Sequence, residues 1–381
     1  MKVFILAGEP SGDRLGGALM AGLKELQPDV TFAGIGGPEM TAQGLESRFD
    51  MSELSVMGLA EILPRYRALM ARIRETAEAV VEMGPDVLIT IDSPDFSLRV
   101  ARRVKAQSDI RTVHYVAPSV WAWRPGRAEK MARHIDQVLA LLPFEPPYME
   151  AAGMRCDFVG HPVVAEPQAS DAEAAAFRAA HGLGEAPLLL VLPGSRQSEV
   201  ARLGPVFQQA VARLHRDRPD MRIVLPMAAP VVGAVRRLTQ NWQPRPILLN
   251  PVEGADPMAE KRAAFRAADV ALAASGTVSL ELAAAGTPMV IAYDMNWLSR
   301  QIIGRMVKVD TVTLVNLVSE TRAVPEFIGA NCLPGPIAAG VLRVLEAPEA
   351  QQAAMAVTME RLGSGGEAPG LRAARAVLDG L

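Results

Sequence analysis

Short apolar runs rich in β-branched residues alternate along the chain with glycine-rich or polar turns and with segments whose apolar positions recur every three to four residues. That rhythm is the signature of parallel α/β structure and argues against a sandwich. Strands are predicted near Val3 to Ala7, Thr31 to Gly34, Val87 to Ile91, Thr112 to Val116, Gln137 to Leu141 and Asp157 to Val159. A second set follows near Leu188 to Leu192, Arg222 to Leu225, Pro246 to Leu249, Val270 to Ala273 and Met289 to Ala292. Two sets of five or six strands predict two similar α/β domains with a cleft between them. Gly160 to Ala176, with Pro162, Pro167 and an Ala/Glu-rich run after Ser170, reads as a linker leading into a helix.

The length of 381 residues agrees with two domains at ~150 residues each. Hydrophobic residues make up 50% and charged residues 21%, with 39 Lys+Arg against 42 Asp+Glu, which excludes a disordered chain and gives no sign of a nucleic-acid partner. Cys156 and Cys332 lie far apart without metal-ligand spacing, so neither a disulfide framework nor a zinc knuckle is expected. A reducing cytoplasm is the simplest compartment. Val3 to Gly8 is too short for a signal peptide, and the uncharged stretches between Val270 and Asp294 are broken by Glu281, Gly286 and Pro288, short of the ~20 residues of a membrane span. A mean hydropathy of +0.16 with 18 Met still predicts some exposed apolar surface.

Candidate chemistry gathers where strands end. The first predicted strand runs into Gly8-Glu9-Pro10-Ser11-Gly12-Asp13, a turn that points backbone N–H groups at the start of a helix near Leu15. It matches neither G-x-G-x-x-G nor a Walker loop, so a nicotinamide cofactor or a triphosphate is not expected. Ser11 or Asp13 could serve simply as a cap, whereas Glu9, at the carboxyl end of the first strand, faces the ligand crevice of a doubly wound sheet. Val87 to Ile91 ends in Asp92-Ser93-Pro94-Asp95, where a carboxylate can act as general base on a hydroxyl nucleophile. Asp95 could instead cap the helix near Phe96. No third ligand follows the aspartates, so no metal is assigned. His114 to Arg124 places Ser119, Trp121 and Trp123 after a strand as a possible ligand wall, followed by a basic helix with Arg127, Lys130 and Arg133.

The second half repeats the logic. Pro193-Gly194-Ser195-Arg196 follows a strand, with Arg196 as a two-pronged donor to phosphate. Ser275-Gly276-Thr277 precedes another helix, where Glu281 can accept both hydroxyls of a ribose. Together these two turns read as a nucleotide-diphosphate pocket.

Gly8 to Asp13, Ile91 to Phe96, Tyr115 to Trp123, Leu142-Pro143-Phe144-Glu145, Val159-Gly160-His161-Pro162, Pro193 to Arg196 and Ala274 to Thr277 strongly resemble the lipid-A-disaccharide synthase family, in order through most of the chain. The resemblance implies a GT-B glycosyltransferase with two facing Rossmann-like domains: an acceptor and lipid-binding domain at 1–165, a UDP-sugar-binding domain at 166–362 and a tail at 363–381 whose helix packs back on the first domain. It implies an inverting transfer from UDP-2,3-diacylglucosamine to 2,3-diacylglucosamine 1-phosphate that yields a β-1′,6-linked tetraacyl disaccharide 1-phosphate and UDP, with no cofactor. Such a transfer needs one base and a stabilised leaving diphosphate. By resemblance and position Asp92 is the base, with Glu9 and Asp95 as rivals; Arg196 and the helix after Gly276 hold the diphosphate, and Asn316 is a nucleotide or substrate contact. Competing readings are a UDP-GlcNAc 2-epimerase, another UDP-sugar transferase of this fold, or a non-catalytic UDP-sugar sensor.

From Ile62 the apolar positions Ile62, Tyr66, Leu69, Met70, Ile73, Ala77, Val80 and Val81 form a helical stripe roughly 120° wide. Arg65 and Arg72 border one edge, Arg67 and Arg74 the other. A core-facing helix with solvated arginines accounts for the pattern, and so does a helix lying in a headgroup region. Because the family's substrates carry acyl chains, one or both of the segments holding Leu69, Met70 and Ile73 and running from Trp297 to Lys308 are expected to form an acyl-chain surface that contacts the cytoplasmic leaflet of an inner membrane peripherally. A homodimer is a candidate assembly.

Overall fold

The apolar runs become strands buried on both faces, as in Val87–Ile91 and Leu188–Leu192, every residue of which is buried. Strands covered by helices on both sides have no polar face, which is why these segments lack polar alternation. The computed structural model describes residues 1–54, 59–121, 126–295 and 310–381, with the side chains of 59–65 also outside the description. The predicted segment Trp297 to Lys308, Trp123 and Arg124, and the side chains of Ile62 and Arg65 lie outside the described residues.

The chain divides into two units, Met1–Ala165 with Leu362–Leu381, and Glu166–Arg361. The first is a six-stranded parallel sheet of β1 (Lys2–Ala7), β2 (Thr31–Ile35), β3 (Val87–Ile91), β4 (Arg111–Tyr115), β5 (Gln137–Ala140) and β6 (Arg155–Phe158), in the order β2-β1-β3-β4-β5-β6. Side-chain alternation splits β1 between two layers: Phe4 and Leu6 join one apolar cluster, and Val3, Ile5 and Ala7 the other. The first cluster is covered by α3 (Leu59–Met83) and α4 (Pro94–Lys105), the second by α1 (Pro10–Leu26) and the C-terminal helix Pro369–Leu378. The expected return of the tail is present, and from Leu362 onward it is part of this unit. Two glycines let that helix approach α1: a Cβ on Gly22 would lie 2.8 Å from the Gly370 carbonyl oxygen, and one on Gly370 would lie 2.6 Å from that of Ala18.

The second unit is a parallel sheet of β7 (Leu188–Leu192), β8 (Arg222–Pro226), β9 (Ile247–Leu249), β10 (Val270–Ala274), β11 (Met289–Tyr293) and β12 (Glu326–Ile328), ordered β12-β11-β10-β7-β8-β9. All eleven predicted strands are present, with the sixth displaced toward the N-terminus. The twelfth was not predicted, because Glu326–Ile328 is three residues long and half-buried at the sheet edge, too short to leave a periodic run. α1 and α4 begin earlier than expected, since Pro10 and Pro94 occupy first-turn positions where a missing N–H costs nothing.

Candidate functional site

In each sheet the strand order reverses direction once. In the first unit, β1 leads to β2 on one side while β3 follows on the other; in the second, β7 leads to β8 while β10 lies on its opposite flank. In open α/β sheets ligands bind at the carboxyl ends of the two strands flanking that reversal. The register pairs Ala7 with Ile91 and Leu192 with Ala273, so the turns leaving these strands emerge side by side.

The first unit thus brings together Gly8, Glu9, Ser11 and Gly12 after β1 with Asp92 and Ser93 after β3. Glu9 and Ser11 are exposed, whereas Gly12 is buried and packs on Ala7 and Ile91. Asp13 is no cap for α1; its carboxylate is buried and accepts the backbone N–H groups of Gly37, Glu39 and Met40 at 2.8–3.1 Å, capping the next helix, α2 (Pro38–Ala42). Asp95 is exposed in the first turn of α4, whose N-cap is Ser93.

Strain concentrates at this edge. Asp92 and Ser93 both have left-handed backbone, with φ of 45° and 43°, and Val116 after β4 has φ 83°. A β-branched residue at positive φ is a genuine outlier, and such conformations cost about 1–3 kcal/mol each and cluster at functional sites. Hydrogen bonds impose them: the Asp92 N–H donates to the Tyr115 carbonyl at 3.0 Å, and the Val116 N–H to that of Leu139 at 3.0 Å, so the sheet ladder extends past the strand ends. Among the described residues no hydrogen bond or ion pair engages the Asp92 carboxylate, which is half-buried.

The neighbouring turn after β4 carries Ser119, exposed, and Trp121, half-buried. Trp121 meets Phe144 edge-on, ring centroids 5.1 Å apart, and its indole Nε1–H donates to Glu145 Oε1 at 3.4 Å. Glu145 Oε2 accepts the Leu142 N–H at 3.0 Å. Burial pushes the Glu145 carboxyl up to about 7, against the opposing pull of these donors. The sequence displays Glu145 in a motif but not its burial, so sequence reasoning gave it no role.

In the second unit Gly194 has φ 117°, and a Cβ there would fall 2.5 Å from Glu199 Oε2. That carboxylate accepts the N–H groups of Ser195 (3.1 Å) and Arg196 (3.3 Å) and pairs with the Arg196 guanidinium at 3.0 Å. The expected anion-binding turn is therefore occupied by a carboxylate of its own helix, Gln197–Asp217, a residue that sequence reasoning passed over. Across the reversal, Ser275 is half-buried, while Gly276 (φ 154°) and Thr277 are exposed ahead of the helix Val278–Ala285. Glu281 is half-buried, with Oε2 held by Lys261 Nζ at 2.5 Å.

Asn316, expected as a nucleotide or substrate contact, is buried within its own loop. It is 1% exposed; its Nδ2 donates to Thr311 Oγ1 and the Val324 carbonyl, and its Oδ1 accepts the Val324 N–H. Among the described residues the amide is engaged in holding its own loop. Ile73 is likewise 0% exposed, in the core beneath α3, and so is not available to a membrane; Leu69 and Met70 are half-buried against the same core.

The lipid-A-disaccharide synthetase family profile matches residues 3–374. Lipid-A-disaccharide synthase of Ruegeria pomeroyi is 66% identical, the match covering 100% of this chain and 96% of that protein. The enzyme of the same name from Rhodospirillum centenum is 46% identical, covering 100% and 94%. Among solved structures, the UDP-GlcNAc 2-epimerase of Neisseria meningitidis bound to UDP-GlcNAc aligns with a TM-score of 0.65 at 12% identity, covering 100% of this chain and 99% of that one. That of Methanocaldococcus jannaschii, in complex with UDP-GlcNAc and UDP, aligns at 0.61 and 13%, covering 100% and 99%. These two likenesses show a shared fold, consistent with the two Rossmann-like units and returning helix of GT-B architecture. By full-length identity and profile alike, the chain belongs to the lipid-A-disaccharide synthetase family.

Proposed function

We propose that this glycosyltransferase joins UDP-2,3-diacylglucosamine to 2,3-diacylglucosamine 1-phosphate, giving a β-1′,6-linked tetraacyl disaccharide 1-phosphate and UDP. The first unit takes the acceptor and the second the donor. The acceptor hydroxyl loses its proton to Asp92 as its oxygen attacks the donor's anomeric carbon, and the bond from that carbon to the UDP oxygen breaks with inversion. The observation that carries this reading is the Asp92 carboxylate, unengaged among the described residues and held in left-handed backbone at the reversal point of the first sheet. Glu9, at the adjacent strand end, and Asp95 are the rival bases.

On the donor side, Arg196, the Gly194–Ser195 turn and the Ser275–Thr277 turn flank the reversal of the second sheet, where the departing diphosphate needs donors. One preorganised donor of that kind lowers a barrier by roughly 3–4 kcal/mol. Glu281 retains Oε1 for a ribose hydroxyl. Trp121 and Ser119 supply a wall for the acceptor. The exposed flank of α3 around Tyr66, Leu69 and Met70 meets the cytoplasmic leaflet of the inner membrane, bringing the enzyme to its acylated substrates.

The test is incubation with UDP-2,3-diacylglucosamine and radiolabelled 2,3-diacylglucosamine 1-phosphate. Disaccharide should form with wild type and fall by about 10²–10⁴-fold in Asp92→Ala. Absence of disaccharide with wild type would overturn the assignment, and undiminished activity of Asp92→Ala would move the base to Glu9 or Asp95.

A further inference from the structure

The turn after β4 is tied to the exit of β5 through one buried carboxylate. Glu145 is 4% exposed and lies just past β5, adjacent in the sheet to β4. Its two oxygens are divided: Oε1 takes the Trp121 indole N–H and Oε2 the Leu142 backbone N–H. Phe144 stands edge-on to the same indole at 85°. A buried carboxylate is costly to keep, and a glutamine or an apolar residue would pack this position without the desolvation penalty. It therefore has a reason beyond filling space. The groups it serves lie at the strand ends next to the strained Val116 and Asp92, on the edge where the acceptor is proposed to bind.

We propose that Glu145 is a positioning residue: by bridging the Trp121 indole to the Leu142 amide it fixes the indole as the wall against which the acceptor's glucosamine ring or acyl chain is seated. This rests on the reading of the first unit as the acceptor side. Glu145 touches neither substrate nor the transferred proton. It acts through Trp121, so its loss should appear in acceptor affinity and leave the donor's untouched. Glutamine retains one acceptor oxygen and so can satisfy one of the two N–H groups; alanine satisfies neither.

The experiment combines steady-state kinetics on Glu145→Gln, Glu145→Ala, Trp121→Phe and the double variant Glu145→Ala/Trp121→Phe with the ¹⁵N–¹H resonance of the Trp121 indole, assigned by its absence in Trp121→Phe. Loss of the hydrogen bond that holds the Trp121 indole, together with the one to the Leu142 amide, predicts an acceptor KM raised about tenfold in Glu145→Ala, with partial rescue in Glu145→Gln. The donor KM and kcat should change by less than about twofold. The two Ala and Phe effects should not add, because residues coupled through a shared contact are non-additive. The indole resonance should move upfield and exchange faster with solvent in Glu145→Ala. An unchanged acceptor KM, additive effects, or an unmoved indole resonance would each overturn the proposal. Failure of wild type to form disaccharide would instead overturn the functional reading, and the resonance would still decide whether Glu145 holds Trp121.

Discussion

A methyl group placed on Gly8 would lie 2.6 Å from Ser93 Oγ and 2.9 Å from Ser93 Cβ, so the turn after β1 and the turn after β3 fit only because one is bare. Gly8→Ala is accordingly expected to destabilise by about 1–3 kcal/mol, the usual cost of forcing extra volume into a packed site. Ser93→Gly removes both clashing atoms and also relieves a left-handed backbone that costs about 1–2 kcal/mol in a non-glycine residue. The double variant should recover most of the loss. Urea unfolding of the four proteins checks this, and an alanine cost that persists in the Ser93→Gly background would refute the contact as its cause.

Glu199 occupies the Ser195 and Arg196 N–H groups and pairs with the Arg196 guanidinium. A diphosphate needs the same donors and carries the same sign of charge. Glu199→Gln removes the repulsion and releases Arg196, whose side chain is 73% exposed and hence only weakly held by the ion pair. UDP should bind about three- to tenfold more tightly to the variant, measured by calorimetry. The weakened cap should cost about 0.5–2 kcal/mol of stability. Equal or weaker UDP binding would argue that the nucleotide does not use this turn.

Two histidines set an acid limit on the fold. Burial drives His114 down to about 3, with Arg127 and His134 adding to it, and drives His161 down to about 4. His161 Nδ1 accepts the Val163 N–H, a bond that protonation of that nitrogen removes. Both residues are neutral in the fold and protonate more readily in the unfolded chain. Their contribution is therefore intact above pH 6.5 and is lost as pH falls, down to about 4 for His161 and about 3 for His114, at up to about 1.4 kcal/mol per pH unit for each group. His161→Asn should flatten the dependence of the urea midpoint on pH between 6.5 and 4.5. A slope equal to wild type would assign the acid sensitivity elsewhere.

The strands were legible because a parallel strand buried on both faces must be apolar throughout, as in Leu188–Leu192, and the turns because glycine and acidic residues punctuate strand ends. The strand-end placement of Asp92, Glu9 and Arg196 follows from that position, while the roles proposed for them draw on the family resemblance as well. Glu145, Glu199 and Val116 do not: their importance lies in what surrounds them after folding, a desolvated carboxyl, an occupied set of N–H groups and a φ of 83°. Asn316 shows the converse, a polar residue in a family-like motif whose side chain is engaged within its own loop. The stripe on α3 read correctly as apolar, but periodicity could not say which half of it faces the core.

That division decides how the proposed membrane face is tested. Ile73, Ala77 and Val80 are buried in the first unit's core, so charging Ile73 would unfold the protein and reveal nothing about lipid. Leu69 and Met70 pack on the same core, and Met70 Sδ also lies 3.5 Å from Arg99 Nη1. Leu69→Glu with Met70→Glu would thus lose stability along with any lipid contact. Tyr66 is 47% exposed and flanked by exposed Arg67, while Arg72 is partly neutralised by Glu53 and Glu75. Tyr66→Glu should therefore weaken partitioning onto vesicles containing anionic lipid about tenfold, on the scale of an aromatic residue's apolar contact plus the added charge repulsion. Tm should stay within about 1 °C of wild type, as for a substitution at an exposed position. Sedimentation with vesicles of 30 mol% anionic lipid, a composition chosen at roughly the level that makes basic borders count, measures both variants. If neither Tyr66→Glu nor the Leu69/Met70 pair changes the bound fraction, the face of α3 is not the lipid contact.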